Sequence, residues 1–262
     1  MGLFDTPLDG FTKEDFDVYQ PQCWSSNLHN LQRMKTKEKL LSLVKKVVGD
    51  LGVEGTSISS SSEIPSVWNG RQVKDQLVYC SRDNLRQKQL QSVIAREFDI
   101  AERIKAGAEH ERHLILFARI EAECLTIGLR FTKFSLIDNR NLTARLSEDA
   151  DTLGDVFGAV SGVLTLGEEP ITSLNASRAM DHLAHGGLDA VEFSKSWSKT
   201  QALELGKDVE EVLAADLRAC EPLFAAALWT EDNDYLKLTE TLEELSAQVS
   251  ASLEEKNQKR EA

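Results

Sequence analysis

Residues His113–Thr132 read HLILFARIEAECLTIGLRFT, two runs of alternating side chains on either side of a short polar interruption. Alternation with a period of two is strand geometry. A turn at Ala122-Glu123 puts Leu114, Leu116, Ala118 and Ile120 on one face with Leu125, Ile127, Leu129 and Phe131, an apolar surface that has to be core. The opposite face carries Ile115, Phe117 and Arg119 beside Thr126, Gly128 and Arg130. Two arginines on a half-apolar sheet surface make this the best place in the sequence for a ligand.

Upstream, TSISSSSEIPSVWNG (56–70) and VKDQLVYCSRD (73–83) read as two further strands joined by a Pro- and Gly-punctuated turn. Alternation in the second puts Lys74, Gln76, Val78, Cys80 and Arg82 on one face. Leu28, Leu31, Met34, Leu40, Leu41, Val44, Val47 and Val48 recur at helical spacing, which predicts an amphipathic helix that buries them. A second helix is expected from Asn84 to about Lys105.

Downstream, DNRNLTARL reads as a short helix or turn. Helices are expected at 151–160 and 177–184, and strands at 163–166 and 190–198. Residues 205–229 are Ala- and Leu-rich helix that Pro222 must kink or restart. A last helix from Asn233 aligns Tyr235, Leu238, Leu242, Leu245 and Val249 in one stripe, a candidate interface for a protein partner or a second copy. Strands and helices mix without strict βαβ alternation, so the expected class is α+β with a largely antiparallel sheet, packed helices and a helical C-terminal section. Residues 1–200 are read as the sheet-and-helix domain and 201–262 as C-terminal helices packed on the same domain.

The chain has 262 residues, 41% apolar and 28% charged, with a net charge of −13, which fits a folded chain with a real core. No run approaches the roughly 18 uncharged apolar residues of a membrane span, and the first residues carry acids where a secretion signal carries Lys or Arg. A cytoplasmic protein with no membrane partner is expected. Cys23, Cys80, Cys124 and Cys220 form no C-x-x-C pair, which leaves no zinc ribbon or thioredoxin-like motif. Charge is uneven: 20 Lys/Arg against 14 Asp/Glu from Asn27 to Leu146, then 9 against 24 from Ser147 onward. The mildly basic middle admits nucleic acid as a partner, though no basic block or RGG tract supports it.

Chemistry-bearing motifs are sparse. His110-Glu111-Arg112-His113 lacks the i, i+4 histidine spacing of H-E-x-x-H. His182 and His185, three apart, share a helix face and, with Asp181 to orient one of them, could hold a metal for hydrolysis, with no third ligand nearby in sequence. Gly158-Ala159-Val160-Ser161-Gly162 is one residue off a nucleophile elbow, and no glycine-rich phosphate loop is present. No cofactor is expected. Arg71, Lys74 and Arg82 flank the second strand while Arg119 and Arg130 emerge from the hairpin. One sheet would gather them into an anion-binding concavity, unless they pair with the acids of the C-terminal helices.

FTKEDFDVY before a long helix, the Arg82-Asp83 pair on a strand, FSKSWSKTQALELG, and a helix with Cys220-Glu221-Pro222-Leu223 together resemble conserved bacterial families of unknown function. The resemblance implies a single α+β domain over most of the chain and carries over no functional residues. Together these readings point to a non-catalytic accessory or regulatory binding protein that uses the arginine-bearing sheet face and the acidic C-terminal helix.

Overall fold

The computed structural model describes residues 10–49, 53–97, 109–240 and 242. Its sheet contains β1 (Thr56–Ser60), β2 (Gln76–Arg82), β3 (Ile115–Ile120), β4 (Cys124–Thr132), β5 (Thr165–Leu166), β6 (Glu169–Pro170) and β7 (Ala190–Ser198). The strands lie in the order β1-β2-β3-β4-β7-β5-β6, and every pair is antiparallel. The hairpin that decides this turns at Ala122-Glu123: Ile120 pairs with Leu125, and the Glu121 amide donates to the Cys124 carbonyl at 2.9 Å. Helices pack on the sheet, so the class is α+β.

The helices are α1 (Lys13–Asp17), α2 (Asn30–Val48), α3 (Asn84–Glu97), α4 (Leu136–Glu148), α5 (Ala150–Val160), α6 (Ser173–Ala184), α7 (Lys199–Glu204), α8 (Val209–Ala219) and α9 (Glu221–Ala227). Pro222 restarts the chain as α9, where its missing N–H costs nothing. The inward face of the hairpin, Leu116, Ala118, Ile120, Leu125, Ile127, Leu129 and Phe131, is fully buried. It shares one core with Val78 and Cys80 of β2, Phe193 of β7, Leu40 and Val44 of α2, and Leu213, Leu217 and Phe224 of α8 and α9. Buried residues from Ala202 to Leu228 thus belong to the same core as the sheet.

The first half of α2 departs from the expected pattern. Leu40, Val44 and Val47 are buried, but Leu28 is 91% and Leu31 63% exposed, Met34 is exposed too, and Arg33 and Thr36 are buried in their place. The polar groups win because they are satisfied. The Arg33 guanidinium donates to the carbonyls of Val18, Cys23 and Ser26. Buried Asp15 accepts from Thr12, Gln32, Thr36 and Lys39, so the N-terminal segment is fastened to α2 by hydrogen bonds that no apolar residue could make.

The final stripe also begins differently. Tyr235 lies in a turn, with its hydroxyl donating to Asp149 at 3.1 Å and Arg145 over its ring. Helix starts only at Leu238, where the Asp234 carboxylate accepts from the amides of Leu238 and Thr239. Leu238 and Leu242 pack on Leu90, Ile137 and Trp229 of their own fold. Leu245 and Val249 lie outside the described residues, as does the expected helix beyond Glu97. Among the described residues, no helix is long and apolar enough to cross a membrane.

Candidate functional site

The outer face of the sheet, turned away from this core, divides into two parts. Leu77 and Tyr79 stand opposite Arg119 and Phe117, and Ile115 opposite Arg130. Leu77, Tyr79, Ile115 and Phe117 form a small buried cluster of their own. Toward β7 the face becomes polar, where Thr126 pairs with Ser196, Gly128 with Ser194 and Arg130 with Glu192.

Arg119 does not stop at its own row. Its guanidinium lies over the Phe117 ring, 5.3 Å from the centroid, and grips Glu192 through two hydrogen bonds of 2.8 and 3.0 Å. The row it crosses holds Phe117, Gly128 and Ser194. Gly128 is needed there: its φ is +153°, and a Cβ would sit 2.2 Å from the Phe193 carbonyl oxygen.

Arg130 shares the same carboxylate. Its Nη1 donates to Glu192 at 3.3 Å and its Nη2 to Glu111 at 3.2 Å. His110 lies 3.4 Å from Glu111 and tilts against the Tyr79 ring, while Glu121 lies 3.5 Å from the far side of Arg119. The result is a chain of alternating charge, Glu121, Arg119, Glu192, Arg130 and Glu111, with the His110 imidazole at its end. Burial opposes the charge on Arg119, but the hydrogen bonds and charge of Glu192 outweigh it and hold the guanidinium above its ordinary pKa. The His110 hydrogen bond and, against burial, the Arg130 charge keep the Glu111 carboxyl below its ordinary value. Burial raises the nearby Asp75 carboxyl despite the charge of Arg119.

The expected five-cation concavity is therefore not what the strands assemble. Arg119 and Arg130 come together, and their partners lie on β7, on the 3-10 turn at Glu109–Glu111 and after β3 rather than on the C-terminal helices. Arg82 falls on the opposite, core side of the sheet, because β2 alternates and Cys80 faces the core. There its two Nη groups both donate to Asp138, one at 2.9 Å, and Nη2 donates to the Trp229 carbonyl at 2.8 Å. Asp138 also accepts from the amides of Leu114 and Trp229, each at 3.0 Å. Arg71 and Lys74 are exposed on the loop before β2, Lys74 over the Trp24 ring at 5.0 Å.

Asp181 and His185 lie 3.2 Å apart, exposed, at the C-terminal end of α6, and His182 is exposed beside them. Among the described residues, no group of three His, Cys, Asp or Glu side chains could hold a metal ion.

The sheet network opens at Arg130 onto a cleft of about 980 Å³. One side of α4 forms its wall through Leu136, Arg140, Ala144 and Ser147, and Leu183 and Gly186 at the end of α6 face it. Its rim carries Lys133, paired with Asp189 at 2.6 Å, and Phe134. The turn that presents them is fixed. The Ser135 hydroxyl accepts from the Thr132 amide at 2.9 Å, and Asn139 donates to the Thr132 carbonyl at 2.8 Å.

Three cations thus line a largely apolar concavity, an arrangement suited to an anionic group on an apolar body. Glu192, Lys133 and Arg140 were missed in the sequence. Glu192 alone left a signal, since Val191 and Phe193 on the core face place it outward, in register with Arg130. No protein-family model and no curated protein matches this chain.

Proposed function

We propose that the protein acts by binding, as an accessory or regulatory component, and that it takes a carboxylate or phosphate borne on an apolar body in the cleft beside Arg130. The observation that supports this reading is the exchangeable pairing of Lys133 and Arg130. Lys133 is 44% and Asp189 89% exposed, and an ion pair so placed contributes little to stability. Arg130 holds its two carboxylates at 3.2 and 3.3 Å, longer than an optimal charge-assisted bond. An incoming anion can replace these partners without breaking the fold, while its apolar part rests on Leu136, Ala144 and Leu183.

Calorimetric titration with n-octyl phosphate, inorganic phosphate and n-octanol tests this. Octyl phosphate should bind more tightly than either fragment, and the double variant Arg130→Gln, Lys133→Ala should weaken it at least about tenfold, equivalent to about 1.4 kcal/mol. Equal affinity in wild type and double variant would remove the cleft from consideration.

A further inference from the structure

At the far end of β1 the chain builds a second feature, unrelated to the cleft. The loop from Ser61 to Val73 carries Val67 and Trp68 at its tip, 76% and 97% exposed, with Ile64 exposed beside them. Connecting loops are commonly mobile, whereas this one is cross-braced by hydrogen bonds and displays large apolar side chains. Asn69 organises it: its Oδ1 accepts from the Ser66 amide at 2.8 Å, its Nδ2 donates to the Ile64 carbonyl at 2.9 Å, and its carbonyl accepts from the Gln72 amide at 3.1 Å. The Arg71 amide donates back to Ser66 at 2.6 Å. Gly70 and Arg71 both have left-handed backbone, φ +63° and +61°. Glycine takes that conformation freely and arginine does so at a cost, so an arginine stands where the backbone favours glycine.

The loop is also anchored to α2 and to the turn that precedes it. Lys37 bonds Glu63 at 2.7 Å with both side chains mostly covered, and the Val73 amide donates to the Trp24 carbonyl at 3.0 Å. Met34 lies three residues before Lys37 and therefore on the same flank, with exposed Leu31 and Leu28 continuing away from it. Tied to the chain at Trp24 and at Lys37, the loop thus carries exposed Ile64, Val67 and Trp68 alongside the segment that exposes Leu28, Leu31 and Met34. These two segments expose Lys35, Arg71 and Lys74 against one exposed acid, Glu38, while the partly covered Glu63 is paired with Lys37 and Asp75 is partly covered. On a chain of net charge −13, this corner is cationic.

We infer that this corner docks an acidic segment of another protein, with Trp68 as the apolar anchor. Tryptophan on a rigid support is the side chain that dominates interface energies, and a preorganised tip loses little freedom on binding. Charge selects the kind of partner. In a symmetric dimer the same patch would meet itself and set Lys35, Arg71 and Lys74 against their own copies. An acidic partner removes that repulsion.

Replacing Val67 by photoreactive benzoylphenylalanine in the full chain, in its host, tests the inference, with Leu174 on α6, also well exposed, as the control position. Illumination should link one protein through an acidic peptide at position 67 and not at 174. That protein, purified, should bind wild type with an affinity that falls as salt rises. Trp68→Ala should weaken it by at least about 30-fold, the scale of a central anchor residue. Arg71→Gly should raise the melting temperature by relieving the backbone, yet weaken binding, which a purely structural arginine would not do. No product specific to position 67, a product that is a second copy of this chain, or affinity unmoved by Trp68→Ala would each overturn the inference.

Discussion

Arginine is used in opposite ways on the two faces of this sheet. On the core face Arg82 is fully buried and meets a carboxylate that is itself saturated, Asp138 holding both guanidinium nitrogens and two backbone amides. On the outer face Arg119 and Arg130 share Glu192 and are only partly covered. The first arrangement joins β2, the start of β3, α4 and the segment after α9 into one unit, and nothing can enter it. The second can lose a partner and gain another. Burial and the number of fixed donors, rather than the presence of arginine, separate a structural ion pair from a binding surface.

The sharpest way to break this comparison is to remove one partner on the core face. Asp138→Ala leaves the Arg82 charge buried and unpaired and should cost about 3–5 kcal/mol, read by urea unfolding. Replacing both partners by Met and Leu should recover much of that loss. A loss below about 1 kcal/mol for Asp138→Ala would mean that Arg82 reaches water and that the two faces do not differ.

The same locus makes a prediction about pH. Burial first, and the Arg82 charge second, lower the His113 imidazole to about 4 from an ordinary 6.5. As pH falls below about 6.5 the unfolded chain takes up a proton that the folded chain refuses until about 4. Stability should therefore fall across that window, by about 3 kcal/mol in all. Asp138 acts lower: burial would raise its carboxyl, but the Arg82 charge and the Leu114 and Trp229 amides hold it below its ordinary 3.8. Its contribution, present above that value, is lost only as pH falls beneath it. His113→Gln should flatten the profile between pH 6.5 and 4 and leave the steeper loss below 4. An unchanged profile would place the titrating groups elsewhere.

How much of this was legible in the sequence depends on how local the cause is. The hairpin, its turn and the two faces of His113–Thr132 follow from alternation alone, and the structure agrees residue by residue. Alternation also put Arg82 on the face of Val78 and Cys80 correctly. What it could not say is that this face is the core side, because the group that makes burial possible, Asp138, lies 56 residues away on a helix. The start of α2 shows the same limit. Apolarity alone turns Leu31 and Met34 inward, whereas Arg33 and Thr36 go in because Asp15 and three distant carbonyls receive their hydrogens. The cleft was illegible for another reason, since its cations come from a strand end, a turn and a helix that only the fold brings together.

On the outer face the expected effects are smaller and divide between stability and binding. Arg119→Met breaks a bidentate bond to a half-covered carboxylate and should cost about 2 kcal/mol. Glu192 then has Arg130 as its one remaining arginine and should hold it more closely, so octyl phosphate should bind less well although Arg119 does not line the cleft. Unchanged affinity in that variant would show that the two arginines are not coupled.

The finest test removes a competitor rather than a cation. Glu111→Gln takes one carboxylate from Arg130, keeps the shape of the side chain, and should change stability by less than about 1 kcal/mol, as for other partly exposed pairs. If Arg130 exchanges partners, octyl phosphate should then bind about threefold more tightly, a gain of about 0.6 kcal/mol. Lowering the pH is no substitute. His110 and Arg130 keep the Glu111 carboxyl ionised below its ordinary range, so acid would protonate other carboxylates and the phosphate itself before it freed Arg130. A gain in the variant at neutral pH, with none in wild type on mild acidification, is the signature of an arginine held in reserve by its own sheet. Equal affinity in both proteins would mean that Arg130 is as fixed on the outer face as Arg82 is on the inner one.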